Sequence, residues 1–218
     1  MSSLSLNNLD DLYRLIEQKS AQKDRIMIGI AGCPGAGKST ISHYLKTKLG
    51  QAKIVQMDGF HLTNEILEER HLLSRKGSPN SFDLEGFSAL LSRIKNNPVN
   101  TPNHKLSIYA PLFNRELDAS IGSAVEIKNS DKFILVEGNY LLLDQTGWRD
   151  LNPLLDISIF IEVDESTLIA RLTQRWLDLG LEPKAALDKV NLNDAFNIKL
   201  VSENLIKADI VLSLPLPS

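Results

Sequence analysis

The densest chemical signal in the chain is Gly32-Cys33-Pro34-Gly35-Ala36-Gly37-Lys38-Ser39-Thr40. Glycines without Cβ atoms let a loop curl until successive N–H groups point inward. The positive end of a following helix adds to that nest, which suits phosphate oxygens. In this reading Lys38 reaches the β- and γ-phosphates of a nucleotide, Ser39 holds Mg²⁺ through its hydroxyl, and Thr40 bonds the α-phosphate. A glycine-rich bend joining a strand to a helix is the plainer alternative. The flanks favour the first reading: a buried-strand pattern precedes the loop and an amphipathic helix pattern follows it. Cys33 fills a variable position. A thiol at a helix N-terminus can be reactive, but a tolerated small residue is the simpler account.

Two acids and two arginines could complete the chemistry. Asp58, in "VQMDGFHL", stands at the end of an expected strand, the edge that borders the ligand crevice of an open α/β sheet. A carboxylate there can take the proton of an attacking hydroxyl; otherwise it begins a turn before Gly59. Glu137, in "ILVEGNYLLL", stands at an equivalent strand end. It can orient a Mg²⁺-bound water or the substrate, or be a solvated strand terminus. Arg171 and Arg175 are four apart, so they share one face of an expected helix. They could close as a lid over the nucleotide and neutralise transferred charge, or form a solvated face paired with Asp164 or Asp178. Spacing does not separate the roles of the two.

The elements that would position these residues follow from pattern. Short apolar runs at Arg25–Ala31, Lys53–Asp58, Lys132–Glu137, Asp156–Val163 and Asp209–Leu214 read as five strands. Helical spacing covers Leu6–Ile16, capped by Asn8 or Asp10, then Ile41–Leu49, Leu84–Ile94, Glu165–Leu177 and Ala195–Leu205. Asp164 or Ser166 caps the fourth, and Asn193, Asp194 and Asn197 are cap material for the last. Alternating strands and helices predict an α/β fold with a parallel, helix-flanked sheet. Residues 59–131 are too long for a simple crossover. They read as a substrate-facing insertion holding a helix, a proline-bearing loop (Pro98, Pro102, Pro111) and a hairpin of "KLSIYA" and "AVEIKN". The expectation is one domain over 1–218: core 22–58 and 132–214, insertion 59–131, lid 165–192.

Composition narrows the class. The 218 residues are 43% hydrophobic, enough for a globular core, and the net charge of −3 gives no bulk attraction to nucleic acid or an anionic membrane. No secretory pattern opens the chain and no apolar run is long enough to span a bilayer. The single cysteine excludes an internal disulfide and fits a reducing, cytoplasmic setting. His43 reads as surface or packing, His71 and His104 lack metal-ligand spacing, and Lys184 carries no separate signal.

In order, the phosphate loop, "MDGFHL", "RKGSPNSFDLEGF", "IYAPLFNRELD", "VEGNYLLLD" and the arginine helix resemble the P-loop kinases of the uridine kinase, phosphoribulokinase and bacterial pantothenate kinase family. The resemblance covers nearly everything from Arg25 to Leu212. "KGSPNSFD" looks like pantothenate kinases. "VEGNYLLLD", "RW" and "NDAFN" look like an uncharacterised nucleoside/nucleotide kinase or fructose-transport-system kinase branch. The resemblance implies a three-layer sandwich with strand order 2-3-1-4-5, ATP and Mg²⁺ as cofactors, Asp58 as base, Lys38 as phosphate lysine, Glu137 near the metal and Arg171 in the lid. A homodimer is common in the family. His61 could contact the acceptor, and the family places acceptor-binding side chains at Tyr109, Phe113 and Arg115, though both aromatics could simply pack the insertion.

The sequence thus predicts a Mg²⁺–ATP-dependent transfer of the γ-phosphoryl group to a hydroxyl of a small metabolite, such as a pantothenate-like acid, a nucleoside or a sugar. Two alternatives stand beside it. A GTP switch would need an Asn-Lys-x-Asp element, which the chain lacks. A silent nucleotide sensor would not need the intact set of Asp58, Lys38 and Glu137.

Overall fold

Seven consecutive buried residues, Ile26–Gly32, form the central strand β2. In this computed structural model, which describes residues 3–97 and 107–214, β6 (Phe133–Gly138) and β7 (Ile157–Ile161) flank β2 and run parallel to it. These strands are almost wholly apolar, Glu137 and Ser158 apart, because helices cover both faces of the sheet. Next to β6 lies β3 (Ala52–Gln56), and next to β7 lies β8 (Ile210–Leu212). The order of these five, β3-β6-β2-β7-β8, is the expected one. A sixth strand, β1 (Leu4–Leu6), extends the edge beside β8, so the sheet has six strands, not five. Leu6, read as helical from its spacing, pairs instead with Leu212. Three residues are too few to show a two-residue alternation.

The helices follow the apolar spacing. Asn8, not Asp10, caps α1 (Leu9–Ser20), its Oδ1 accepting from Asp11 N at 2.8 Å, and Leu12 and Ile16 are buried. In α2 (Lys38–Leu49), Ile41 and Leu45 face the core. Asp164, not Ser166, caps α5 (Glu165–Asp178). It accepts from Ser166 and from the Thr167 hydroxyl and N–H, and these bonds hold its carboxyl at about 2. A short α6 (Pro183–Lys189) continues through a π-turn at Val190–Asp194 into α7 (Ala195–Glu203). Because α7 continues an existing helical path, it needs no cap. Asn193, Asp194 and Asn197 therefore do not cap it; their side chains turn inward and are buried.

Between β3 and β6 lie α3 (Asn64–Glu69), α4 (Leu84–Lys95) and an antiparallel hairpin of β4 (Ile108–Asn114) and β5 (Ala119–Ile127). Phe87, Leu91 and Ile94 anchor α4 in the core. Pro111 is not in a loop: it sits in β4 where the register shifts between Ala110 and Leu112, a place that tolerates its missing N–H. Pro98, Pro102, His104 and the first two residues of "KLSIYA" lie outside the described residues. The hairpin crosses directly over the turn after β3. A Cβ on Gly59 would come within 2.6 Å of Pro111 O, so only glycine permits this approach. Among the described residues, no helix is long and apolar enough to cross a membrane.

Candidate active site

The loop joining β2 to α2 has the geometry a phosphate cradle requires. Gly35 and Gly37 have φ of +82° and +90°, a region costly for any residue with a side chain. A Cβ on Gly35 would also press on Leu172, so this glycine lets α5 lie against the loop. Ala36 N bonds Cys33 O at 3.1 Å and closes the turn. Cys33 is 5% exposed, and its sulfur lies 3.7 Å from Ile198 O and Ser202 Oγ. Burial pushes its thiol up, so it packs rather than reacts. Pro34, Ala36 and Thr40 complete the loop, with Pro34 and Thr40 lining a cavity of about 320 Å³ between the loop and the strand ends.

Lys38 Nζ donates to Gly32 O and Cys33 O at 3.1 Å each and to Asn139 Oδ1 at 2.6 Å. Burial draws its pKa down, and the nearby Asp58 and Glu137 carboxylates oppose that. Ser39 Oγ stands 3.0 Å from both oxygens of the buried Glu137 carboxylate, and Gln56 Nε2 donates to Glu137 Oε1 at 2.8 Å. Hydroxyl and carboxylate oxygens are hard donors that suit Mg²⁺. No group of three or more His, Cys, Asp or Glu among the described residues could hold a metal by itself. The set fits an ion that takes its other ligands from phosphate and water, as Mg²⁺ does.

Asp58 lies in a single 3₁₀ turn, Met57–Phe60, just beyond β3. Arg115 Nη2 is 3.5 Å from its Oδ2. His61 Nδ1 lies 2.8 Å from Asp58 O. A carbonyl only accepts, so Nδ1 carries the proton and Nε2 keeps its lone pair. Burial lowers the His61 pKa, and its ring packs on Phe82 and Phe113 at 4.1 and 4.8 Å. Asp58, His61, Phe113, Arg115 and Arg175 line a second cavity of about 390 Å³. Its floor is held by Lys76, which reaches Asp118 Oδ2 and Asn64 Oδ1 at 2.7 Å. Burial alone would raise the Asp118 carboxyl, but the hydrogen bonds from Lys76 and Asn64 bring it below its usual value. On the α6–α7 side, Asp194 accepts from Trp176 Nε1 at 2.7 Å and Asn193 donates to Lys76 O at 2.9 Å. The buried Oδ1 atoms of Asn193 and Asn197 have no hydrogen-bond partner.

The arginines separate by position. Arg175 lines both the 320 Å³ and the 390 Å³ cavities, and burial with the nearby Arg115 lowers its pKa. Arg171 donates to Gly35 O at 3.3 Å and lines the phosphate cavity together with a third cavity of about 880 Å³, bounded by Thr40, Glu162, Val163 and Leu214. That third space lies on the far side of the loop from Asp58 and His61, which line the 390 Å³ cavity.

The sequence profile of the phosphoribulokinase / uridine kinase family matches residues 27–214. The chain belongs to this family. A Schizosaccharomyces pombe protein named "Putative uridine kinase" is 29% identical over 95% of this chain and 91% of its own length. Pantothenate kinase of Streptococcus pyogenes is 30% identical over 81% of this chain, which spans 57% of that protein's length. A solved structure titled "putative fructose transport system kinase", from Silicibacter sp. TM1040, is 39% identical, with a TM-score of 0.86 over 94% of this chain and 98% of that one. Fold and family together make the chain a P-loop kinase.

Of the residues anticipated for this kinase site, the structure brings the loop from Pro34 to Thr40, Asp58, Glu137, Arg171, Arg175, His61, Phe113 and Arg115 around the three cavities, whereas Gly32 and Cys33 line none of them. It does not bring Tyr109 there. That side chain is 52% exposed in β4, where the residue pairs in register with Glu126. Sequence reasoning missed Gln56 and Asn139. Each stands two residues from an anticipated acid, and the two-residue period of a strand could have pointed to both. Lys76, Asp118, Trp176 and Asp194 lie inside the motifs quoted above, Asp194 as cap material, but no site role was expected for any of them.

Proposed function

We propose that this P-loop kinase transfers the γ-phosphoryl group of Mg²⁺–ATP to a hydroxyl of a small metabolite held in the 390 Å³ cavity. The observation that carries this reading is the sharing of residues. Asp58, Arg115, Asn139 and Arg175 line both that cavity and the phosphate cavity. A phosphoryl group in one space and a hydroxyl in the other would meet at Asp58.

In the proposed reaction the loop amides and Lys38 bind the phosphate oxygens, and Ser39 and Glu137 hold Mg²⁺. The metal would supply charge neutralisation at the transferred group. The acceptor oxygen forms its bond to the γ-phosphorus as the bond between that phosphorus and the β–γ bridging oxygen breaks. ADP leaves with that oxygen, and the hydroxyl proton passes to Asp58. Arg175 meets charge on the moving group, and the segment 165–192 acts as the lid that excludes water. The partnerless amide oxygens of Asn193 and Asn197 favour an acceptor that carries hydrogen-bond donors. Pantothenate-like acids, nucleosides and sugars all qualify.

The test is ADP release from Mg²⁺–ATP with nucleosides, pantothenate, sugars and glycerate supplied separately. The expected result is stimulation by one class well above the rate with water alone, with a phosphorylated product. Nucleotide binding with no stimulation by any class would favour a sensor and overturn the proposal.

A further inference from the structure

An ammonium group has three N–H donors, and Lys38 already has three acceptors: Gly32 O, Cys33 O and Asn139 Oδ1. The side chain expected to reach phosphate therefore has no donor to spare. One partner must leave when a nucleotide enters. Gly32 O and Cys33 O belong to the main chain of the cradle, and Cys33 O also closes its turn by accepting from Ala36 N. Releasing either would ask the loop to open as it receives its ligand. Asn139 is different. It holds Lys38 through a side chain that can rotate, just beyond the end of β6, and it lines both the phosphate and the acceptor cavities.

We propose that Asn139 is a positioning residue: it holds Lys38 in the nucleotide-free protein and yields that donor to a phosphate oxygen when ATP binds. The freed amide then remains at the mouth of the acceptor cavity. This rests on the nucleotide reading above. It gives Asn139 a sign that a merely structural residue would not have. Removing its oxygen strands a donor only in the nucleotide-free state, so nucleotide binding strengthens. A carboxylate in its place holds Lys38 by charge, so nucleotide binding weakens.

The experiment is calorimetric titration of the full chain with the Mg²⁺ complex of the β,γ-imido analogue of ATP, beside thermal unfolding with and without it. Asn139→Ala is expected to bind about tenfold tighter than wild type, and Asn139→Asp about tenfold weaker. Asn139→Ala should also melt lower than wild type without the analogue and gain more from it. Should the alanine variant fold too poorly to titrate, Asn139→Asp alone decides, and unchanged or tighter binding there overturns the inference. Equal or weaker binding by Asn139→Ala, with normal binding by wild type, also overturns it while leaving the nucleotide reading intact. Absence of binding by wild type overturns both.

Discussion

Ser39 Oγ stands 3.0 Å from each carboxylate oxygen of Glu137, across 98 residues of sequence. The hydroxyl comes from the first turn of α2 and the carboxylate from β6, which is hydrogen-bonded to β2 along its length. Sheet register thus places the carboxylate, and the loop between β2 and α2 delivers the hydroxyl to it. Gln56, on the neighbouring β3, holds Glu137 from the other side.

From this pair follows a metal prediction. Glu137→Gln keeps the shape and removes the charge. We expect the Mg²⁺ concentration for half-maximal ADP release to rise about tenfold. A titration of activity against Mg²⁺ reads it, and an unchanged midpoint would remove Glu137 from the metal site.

Asp58 should separate binding from transfer. Asp58→Asn is expected to bind Mg²⁺–ATP as wild type does and to lose transfer by a factor of about 10² or more. Calorimetry and single-turnover product formation measure the two halves. Equal turnover in wild type and variant would refute the assignment of the base.

Position around the cavities splits the two arginines. Arg175 borders both phosphate and acceptor spaces, whereas Arg171 leans on the loop carbonyl of Gly35 beside the cavity of about 880 Å³. Arg175→Ala should lower kcat by roughly 10² with a small change in the KM for ATP. Arg171→Ala should mainly raise that KM. The reverse pattern in steady-state kinetics would exchange their roles.

His61 gives stability a pH dependence. Burial lowers its folded pKa below the ordinary 6.5. As pH falls through 6.5, the unfolded chain takes up a proton before the folded chain does. The His61 contribution is therefore full above 6.5 and declines as pH falls toward the lowered value. Urea unfolding at pH about 7.5 and about 5.5 should show a larger loss for wild type than for His61→Gln. Identical losses would mean that His61 titrates alike in both states.

The sequence exposed those parts of this kinase whose causes are local. Glycine spacing announced the loop because positive φ and close contact with Leu172 exclude other residues at Gly35. Apolar runs announced five strands because burial on both faces permits nothing else. β1 stayed hidden because three residues carry no period. Tyr109 was expected at the site from the motif resemblance alone, which does not report which way a strand residue faces, and it lies exposed. The Trp176–Asp194 and Lys76–Asp118 contacts were invisible for another reason. Each joins segments that meet only after folding, so the motifs that hold these residues do not show that they pair.

The edge strand has a consequence beyond completing the sheet. Ser213 N donates to Leu6 O at 3.0 Å, and Ser213 with Leu214 walls the cavity of about 880 Å³ beyond the phosphate loop. Leu6 thus braces the far rim of that cavity from outside. Deleting β1 would therefore loosen one wall of this cavity without touching Lys38, Asp58 or Glu137.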